Sequence, residues 1–154
     1  KNSVSLWEHQ LVYQPQAATA LTYNKLASAY VDEMDLKEKL KQSGVQGLSI
    51  QDQTKYQKVL GLYQAALAIK SDYADTFFRL AGIYKAAGEL AKSEEYYQKT
   101  IKADPDHFEA RLDLGEIYFS RGDRSSAEIQ FQKAIAINPE NQNVVRRMNR
   151  ILEK

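Results

Sequence analysis

The sequence has no cysteine, only three prolines and only seven glycines among 154 residues. Without cysteine there is no disulfide framework, no thiolate metal ligand and no cysteine nucleophile. Few prolines and glycines leave long stretches free to run as regular structure. Neither sign of charge dominates: 21 Lys and Arg stand against 20 Asp and Glu, a net charge of +1. No global field therefore draws the chain to nucleic acid or to an anionic membrane. The longest apolar run, residues 65–69, is far too short to cross a bilayer. No signal or transit segment is visible. The chain opens at Lys1, which reads as an excised piece whose export signal or anchor, if it has one, lies upstream. Cytoplasmic placement is favoured, with an exported or membrane-tethered parent left open.

A hydrophobic content of 44% and a charged content of 27% fit a folded soluble chain. Apolar positions recur at three- and four-residue spacing, the helical period. No stretch alternates apolar and polar with β-branched enrichment, so strands are not expected. The chain also falls on itself when shifted by one fixed step. Leu80 lands on Leu114, Tyr84 on Tyr118, Gly88 on Gly122, Tyr97 on Phe131, Ile101 on Ile135 and Pro105 on Pro139. The unit behind these matches too, Tyr63 on Tyr97 and Leu67 on Ile101.

These copies resemble the tetratricopeptide repeat, whose pattern is Trp-x2-Leu-Gly-x2-Tyr, then Ala-x3-Phe, then Pro. One copy reads Arg111-x2-Leu114-Gly115-x2-Tyr118, Ala127-x3-Phe131, Pro139; another reads Phe77-x2-Leu80-Ala81-x2-Tyr84, Ser93-x3-Tyr97, Pro105. The first reads Tyr23-x2-Leu26-Ala27-x2-Tyr30, Val59-x3-Tyr63, with Ser71 where proline is usual. Arg111 departs from the tryptophan of the pattern and implies a looser contact there. The resemblance implies an all-α, right-handed solenoid of antiparallel helix pairs. Small residues would let paired helices approach, Gly88 and Gly122 would turn after first helices, and the residues before Pro105 and Pro139 would end second helices.

The expected organisation is a single repeat domain. Residues 1–19 form a half-repeat helix and linker, with Trp7, Leu11, Tyr13 and Pro15 spaced like the end of a second helix. The repeats follow at 20–73, 74–107 and 108–141, and residues 142–154 form a capping helix. The step from Tyr30 to Val59 is far longer than the matching step from Tyr84 to Ser93. The first repeat therefore carries an insertion of about 20 residues near 31–53, measured against the regular unit. The expectation is a hairpin lengthened in both helices by two or three turns, protruding as an arm that turns near residues 43–48. Ser49 and Asp52 have capping spacing where the second helix resumes. The arm reads either as a docking knob or as a tolerated insertion.

Chemistry is sparse. His9 and His107 lie in different elements, and neither has a second nitrogen or thiolate ligand near it. His107 reads as a polar helix-start residue. The glycines form no phosphate loop, and Glu94-Glu95 reads as a solvated face. No enzyme signature, cofactor or metal is expected. On the repeat's wheel, a second stripe lies roughly 80–160° from the packing stripe at about 100° per residue. In the family that stripe lines a concave groove. Here it holds Leu21, Asn24, Ser28 and Val31; Asp75, Phe78, Gly82 and Lys85; and Glu109, Leu112, Glu116 and Phe119. The terminal helix adds Asn143, Arg146 and Arg150. This predicts an apolar, partly acidic groove for an extended peptide or amphipathic helix of a partner. The family's clamp for a terminal carboxylate is disfavoured, because Ser28, Gly82 and Glu116 are not the amides it uses and Glu109 has the wrong sign. The reading is a non-catalytic interaction scaffold, with no nucleic acid and no membrane insertion. Two alternatives stand beside it. One is an appendage of a larger, membrane-anchored glycosyltransferase-type protein. The other is a scaffold that self-assembles through its terminal helices.

Overall fold

The structure is a computed structural model that describes residues 3–15 and 18–152. Among them are nine helices and no strand: α1 (Ser3–Tyr13), α2 (Ala20–Glu33), α3 (Leu36–Ser43), α4 (Ile50–Ile69), α5 (Ala74–Ala86), α6 (Leu90–Ala103), α7 (Phe108–Ser120), α8 (Arg124–Ile137) and α9 (Gln142–Leu152). α2 packs on α4, α5 on α6 and α7 on α8, and each pair leans on the next, so the chain is an all-α helical solenoid.

Local chemistry sets the ends. Thr19 and Thr22 form a reciprocal cap at the start of α2. The Asp52 N–H donates to Ser49 Oγ at 3.1 Å and starts α4. Asp123 takes the Ser126 N–H at 3.0 Å, and His107 Nδ1 takes the Ala110 N–H at 3.3 Å. Gly88 and Gly122 turn the chain at φ 77° and 83°, a region that side chains avoid. α6 and α8 each stop just before the residue that precedes Pro105 and Pro139.

Packing follows the repeat register. Tyr63, Tyr97 and Phe131 fill the seams of the three pairs and are all but fully buried. Each faces a small residue of the opposing helix register: Ala27, Ala81 and Gly115, all buried. Ser93, fully buried, donates from Oγ to the Ala81 carbonyl at 2.9 Å and ties α6 to α5. Trp7 is half-buried against the core of α2 and α4.

The inserted residues do not project as an arm. α2 has 14 residues, close to the 13 of α5 and α7, so it is not lengthened. α4 takes up part of the surplus, at 20 residues against 14 in α6 and α8. The rest breaks away at Asp35, the one non-glycine at positive φ (47°) among the described residues, and forms α3. α3 folds back and packs on α5. The reason is its apolar pair one turn apart: Leu36 and Leu40 are 0% and 1% exposed within the core of the first pair. Burying two leucines is worth about 3–6 kcal/mol that a solvated arm would forgo. The chain does turn back at residues 44–49, with Gly44 at φ 62°.

Candidate functional site

α3, α5, α7 and α9 bound an open cleft of about 580 Å³. Its floor comes from α5 and α6: Gly82, Ala86 and the Tyr97 hydroxyl. α7 contributes Asp113 and Glu116, one turn apart; α9 contributes Arg147; α3 contributes Lys37 and Lys41.

Lys85 of α5 also lines the cleft, and it closes with Asp113, Glu116 and Arg147. Lys85 Nζ donates to Asp113 Oδ1 at 3.0 Å and to Glu116 Oε2 at 2.6 Å. Arg147 reaches Glu116 Oε1 through Nε at 2.8 Å and Nη2 at 2.5 Å, and Asp113 Oδ1 at 3.1 Å. Burial works against the Arg147 charge, but its bonds to Glu116 and Asp113 outweigh that and raise its pKa. The Tyr97 hydroxyl donates to Asp113 Oδ2 at 3.0 Å. Burial, then the Asp113 charge, push that phenol far above the usual tyrosine range, so it stays a donor. Two cations thus meet two carboxylates in a closed quartet joining α5, α7 and α9.

Lys37 differs. Its amine tip lies over Gly82, where a Cβ would sit 3.2 Å from Nζ. Burial of that tip, then the nearby Arg79, push its pKa down. Gly82 therefore keeps the cleft open, because any side chain there would meet the lysine.

The expected groove residues divide under this geometry. Gly82, Lys85 and Glu116 line the cleft. Leu21 is 48% exposed, and Arg146 and Glu109 are exposed. Asn24 is buried and donates from Nδ2 to Asp75 Oδ2 at 2.6 Å, while Asp75 also takes Arg79 Nε at 3.0 Å. Ser28 is turned inward, donating to the Asn24 carbonyl at 2.9 Å. Val31 and Leu112 are core residues, 7% and 3% exposed, because α3 and α8 cover those faces. Phe78 is half-buried against Tyr97 and His107, with ring centroids 5.9 and 4.5 Å away. Phe119 is half-buried in the core of α7 and α8, with Arg124 over its ring at 5.7 Å. The Asn143 and Arg150 side chains lie outside the described residues. The cleft lining is thus mostly charged, where an apolar, partly acidic groove was expected; Val31 and Leu112 turn into the core, Phe78 and Phe119 are half-buried, and Leu21 stays exposed.

Sequence reasoning missed Lys37, Lys41, Tyr97, Asp113 and Arg147. Asp113 and Arg147 stand one repeat apart in the same register, which was a usable signal. Lys37 and Lys41 lie in the insertion, where no register reaches. Among the described residues, no group of three His, Cys, Asp or Glu could hold a metal ion, and no helix is long and apolar enough to cross a membrane.

Comparison with known proteins agrees with the fold. Residues 78–142 match the family model for the tetratricopeptide repeat. No curated protein matches the chain. A thermophilic tetratricopeptide-repeat protein of Thermus thermophilus is similar in structure, with TM-score 0.75 and 21% identity over 98% of this chain and 72% of that one. A tetratricopeptide-repeat protein from Parabacteroides merdae gives TM-score 0.73 at 18% identity, over 97% of this chain and 51% of that one. YrrB, described as a repeat protein of this kind with an unusual peptide-binding site, gives TM-score 0.53 at 18% identity, over 93% and 80%. The matched segment runs from α5 past the end of α8 and is similar to tetratricopeptide repeats, and the same repeat register continues into α2 and α4.

Proposed function

We propose that the chain is a non-catalytic scaffold that holds a peptide or helical segment of a partner in the cleft between α3, α5, α7 and α9. Repeat proteins of this family act in protein interaction in general. The observation that carries the finer reading is the cleft itself: an open, concave surface lined by donors and acceptors on rigid helices. The peptide-binding site named for YrrB, a protein of the same fold, is in keeping with it. The quartet offers no activated nucleophile, since its carboxylates are engaged by Lys85 and Arg147.

Gly82→Trp tests this reading. Gly82 is half-exposed, and the nearest obstacle is the movable tip of Lys37, so an indole fills the cleft without entering the core. Partners captured from the source cell by wild type and by this variant are compared by mass spectrometry. A partner lost with the filled cleft, in a variant of unchanged helicity, is the expected result. A partner retained would move the site elsewhere. No partner in either would favour the appendage reading, with the ligand in the same parent chain.

Self-assembly has one observation of its own. α1 leaves Leu6, Val12 and Tyr13 60%, 69% and 71% exposed on the face away from α2. A dimer in sedimentation that disappears with Leu6→Ser and Tyr13→Ser would support that reading, and a monomer at high concentration would remove it.

A further inference from the structure

The quartet leaves the cleft unbalanced. Lys85 and Arg147 are each bonded to both Asp113 and Glu116, so those four charges sum to zero. What remains on the lining is Lys37 and Lys41, one turn apart on one face of α3. Lys41 has a loose contact with Glu38, 3.8 Å apart with both side chains mostly exposed. Lys37 makes no ion pair among the described residues, although Asp113 and Asp32 are close enough to act on its charge, as are Arg79 and Lys41. Both lysines are exposed, so an incoming anion reaches them from solvent, and Lys37 gains a partner that it lacks among the described residues. α3 is held firmly enough to present both lysines: Leu36 and Leu40 anchor its inner face, and Lys39 bonds Asp52 of α4 at 2.9 Å.

We propose that the inserted helix α3 makes this cleft a receptor for an acidic segment of a partner protein, with Lys37 and Lys41 receiving its side-chain carboxylates. The proposal rests on the cleft reading above and adds the chemistry of the occupant. The paired carboxylates of α7 stay engaged by Lys85 and Arg147, so the incoming acid meets Lys37 and the loosely paired Lys41. Selectivity against basic segments follows from the same geometry, because nothing on the lining is left to neutralise them.

The test uses fluorescence anisotropy with a fluorescein-labelled peptide of alternating glutamate and alanine, blocked at both termini. The matching lysine peptide and a single-stranded oligonucleotide of equal charge serve as controls. The expected result is saturable binding of the glutamate peptide alone, weakened by salt as the exposed charges are screened. Lys37→Glu with Lys41→Glu should weaken it about tenfold or more. Lys37→Gln with Lys41→Gln should weaken it less and guards against a charge-reversed helix that fails to form. No binding of the glutamate peptide overturns the proposal, as does affinity unchanged in the double variants. Equal binding of the oligonucleotide overturns it in favour of a general polyanion patch. The two readings separate in capture experiments. A partner lost with Gly82→Trp but kept by both lysine variants would leave the cleft standing and remove its acidic preference; a partner kept by Gly82→Trp would remove both.

Discussion

At Gly115 two helices of this solenoid meet with no room for a side chain. A Cβ built there would lie 2.4 Å from Phe131 Cε1, 2.7 Å from Cδ1 and 3.0 Å from Cζ. The ring cannot retreat, because Phe131 is fully buried. At the equivalent points alanine stands instead of glycine, with Ala27 in one core cluster with Tyr63 and Ala81 in one with Tyr97. Alanine gains about 1 kcal/mol of helix propensity over glycine, while forcing a methyl into a tight core costs about 1–3 kcal/mol. Gly115→Ala is therefore expected to lose stability, by up to about 2 kcal/mol in urea denaturation. Adding Phe131→Leu should shrink the cost of the alanine, since the two residues share one contact. A higher midpoint for the single variant would mean the ring has slack.

At the scale of an element, a polar knot ties α1 to α2 and α4. The Tyr30 hydroxyl donates to Glu8 Oε1, and Lys58 Nζ donates to the same oxygen at 2.9 Å and to the Tyr30 oxygen at 2.5 Å. The bond from Tyr30, then that from Lys58, hold the Glu8 carboxyl below its usual range. A carboxylate with a lowered folded pKa stabilises docking above the ordinary carboxylate pKa and loses that contribution as pH falls through its lowered value. Trp7, the only tryptophan, sits beside it on α1. Its emission should move to the red as pH falls below the ordinary carboxylate range and through the lowered Glu8 pKa, while helicity still holds. Glu8→Gln should show the red-shifted emission at neutral pH and no acid step. A step unchanged in that variant would assign the titration to other carboxylates. α3 makes a different point about legibility. Leu36 and Leu40 were the signal that the insertion packs, since a solvated arm has no use for two leucines one turn apart. Lys37, Glu38, Lys39 and Lys41 masked it by giving the segment a solvated look. The break at Asp35 was equally hidden, because aspartate only tolerates the left-handed region and does not announce it.

For the whole molecule, the repeat period carried most of the architecture: the pairs, their small-residue seams, the glycine turns and the helix ends before proline. The site was legible only in part. Register identified the concave helices and reached Gly82, Lys85 and Glu116, but it could not tell which side chains turn into the seams, as Val31, Leu112 and Phe78 do. That choice depends on what covers each face, and α3 lies outside the period. The same one-dimensional organisation limits how far a local change can travel, because stability in a solenoid is a sum of repeats and nearest-neighbour contacts. Arg147 provides the case. It joins α9 to α7 through Glu116 and Asp113, while α2 packs chiefly on α1, α3 and α4. Arg147→Ala leaves Lys85 as the only cation bonded to the two carboxylates among the described residues, so the α7 side of the quartet becomes acidic and α9 loses a polar tie. Hydrogen exchange should then rise several-fold in α9 and in the turn of α7 that carries Asp113 and Glu116, with α2 and α4 unchanged. Acceleration of equal size along the entire chain would show that the repeats open as one cooperative unit, and the nearest-neighbour account would fail.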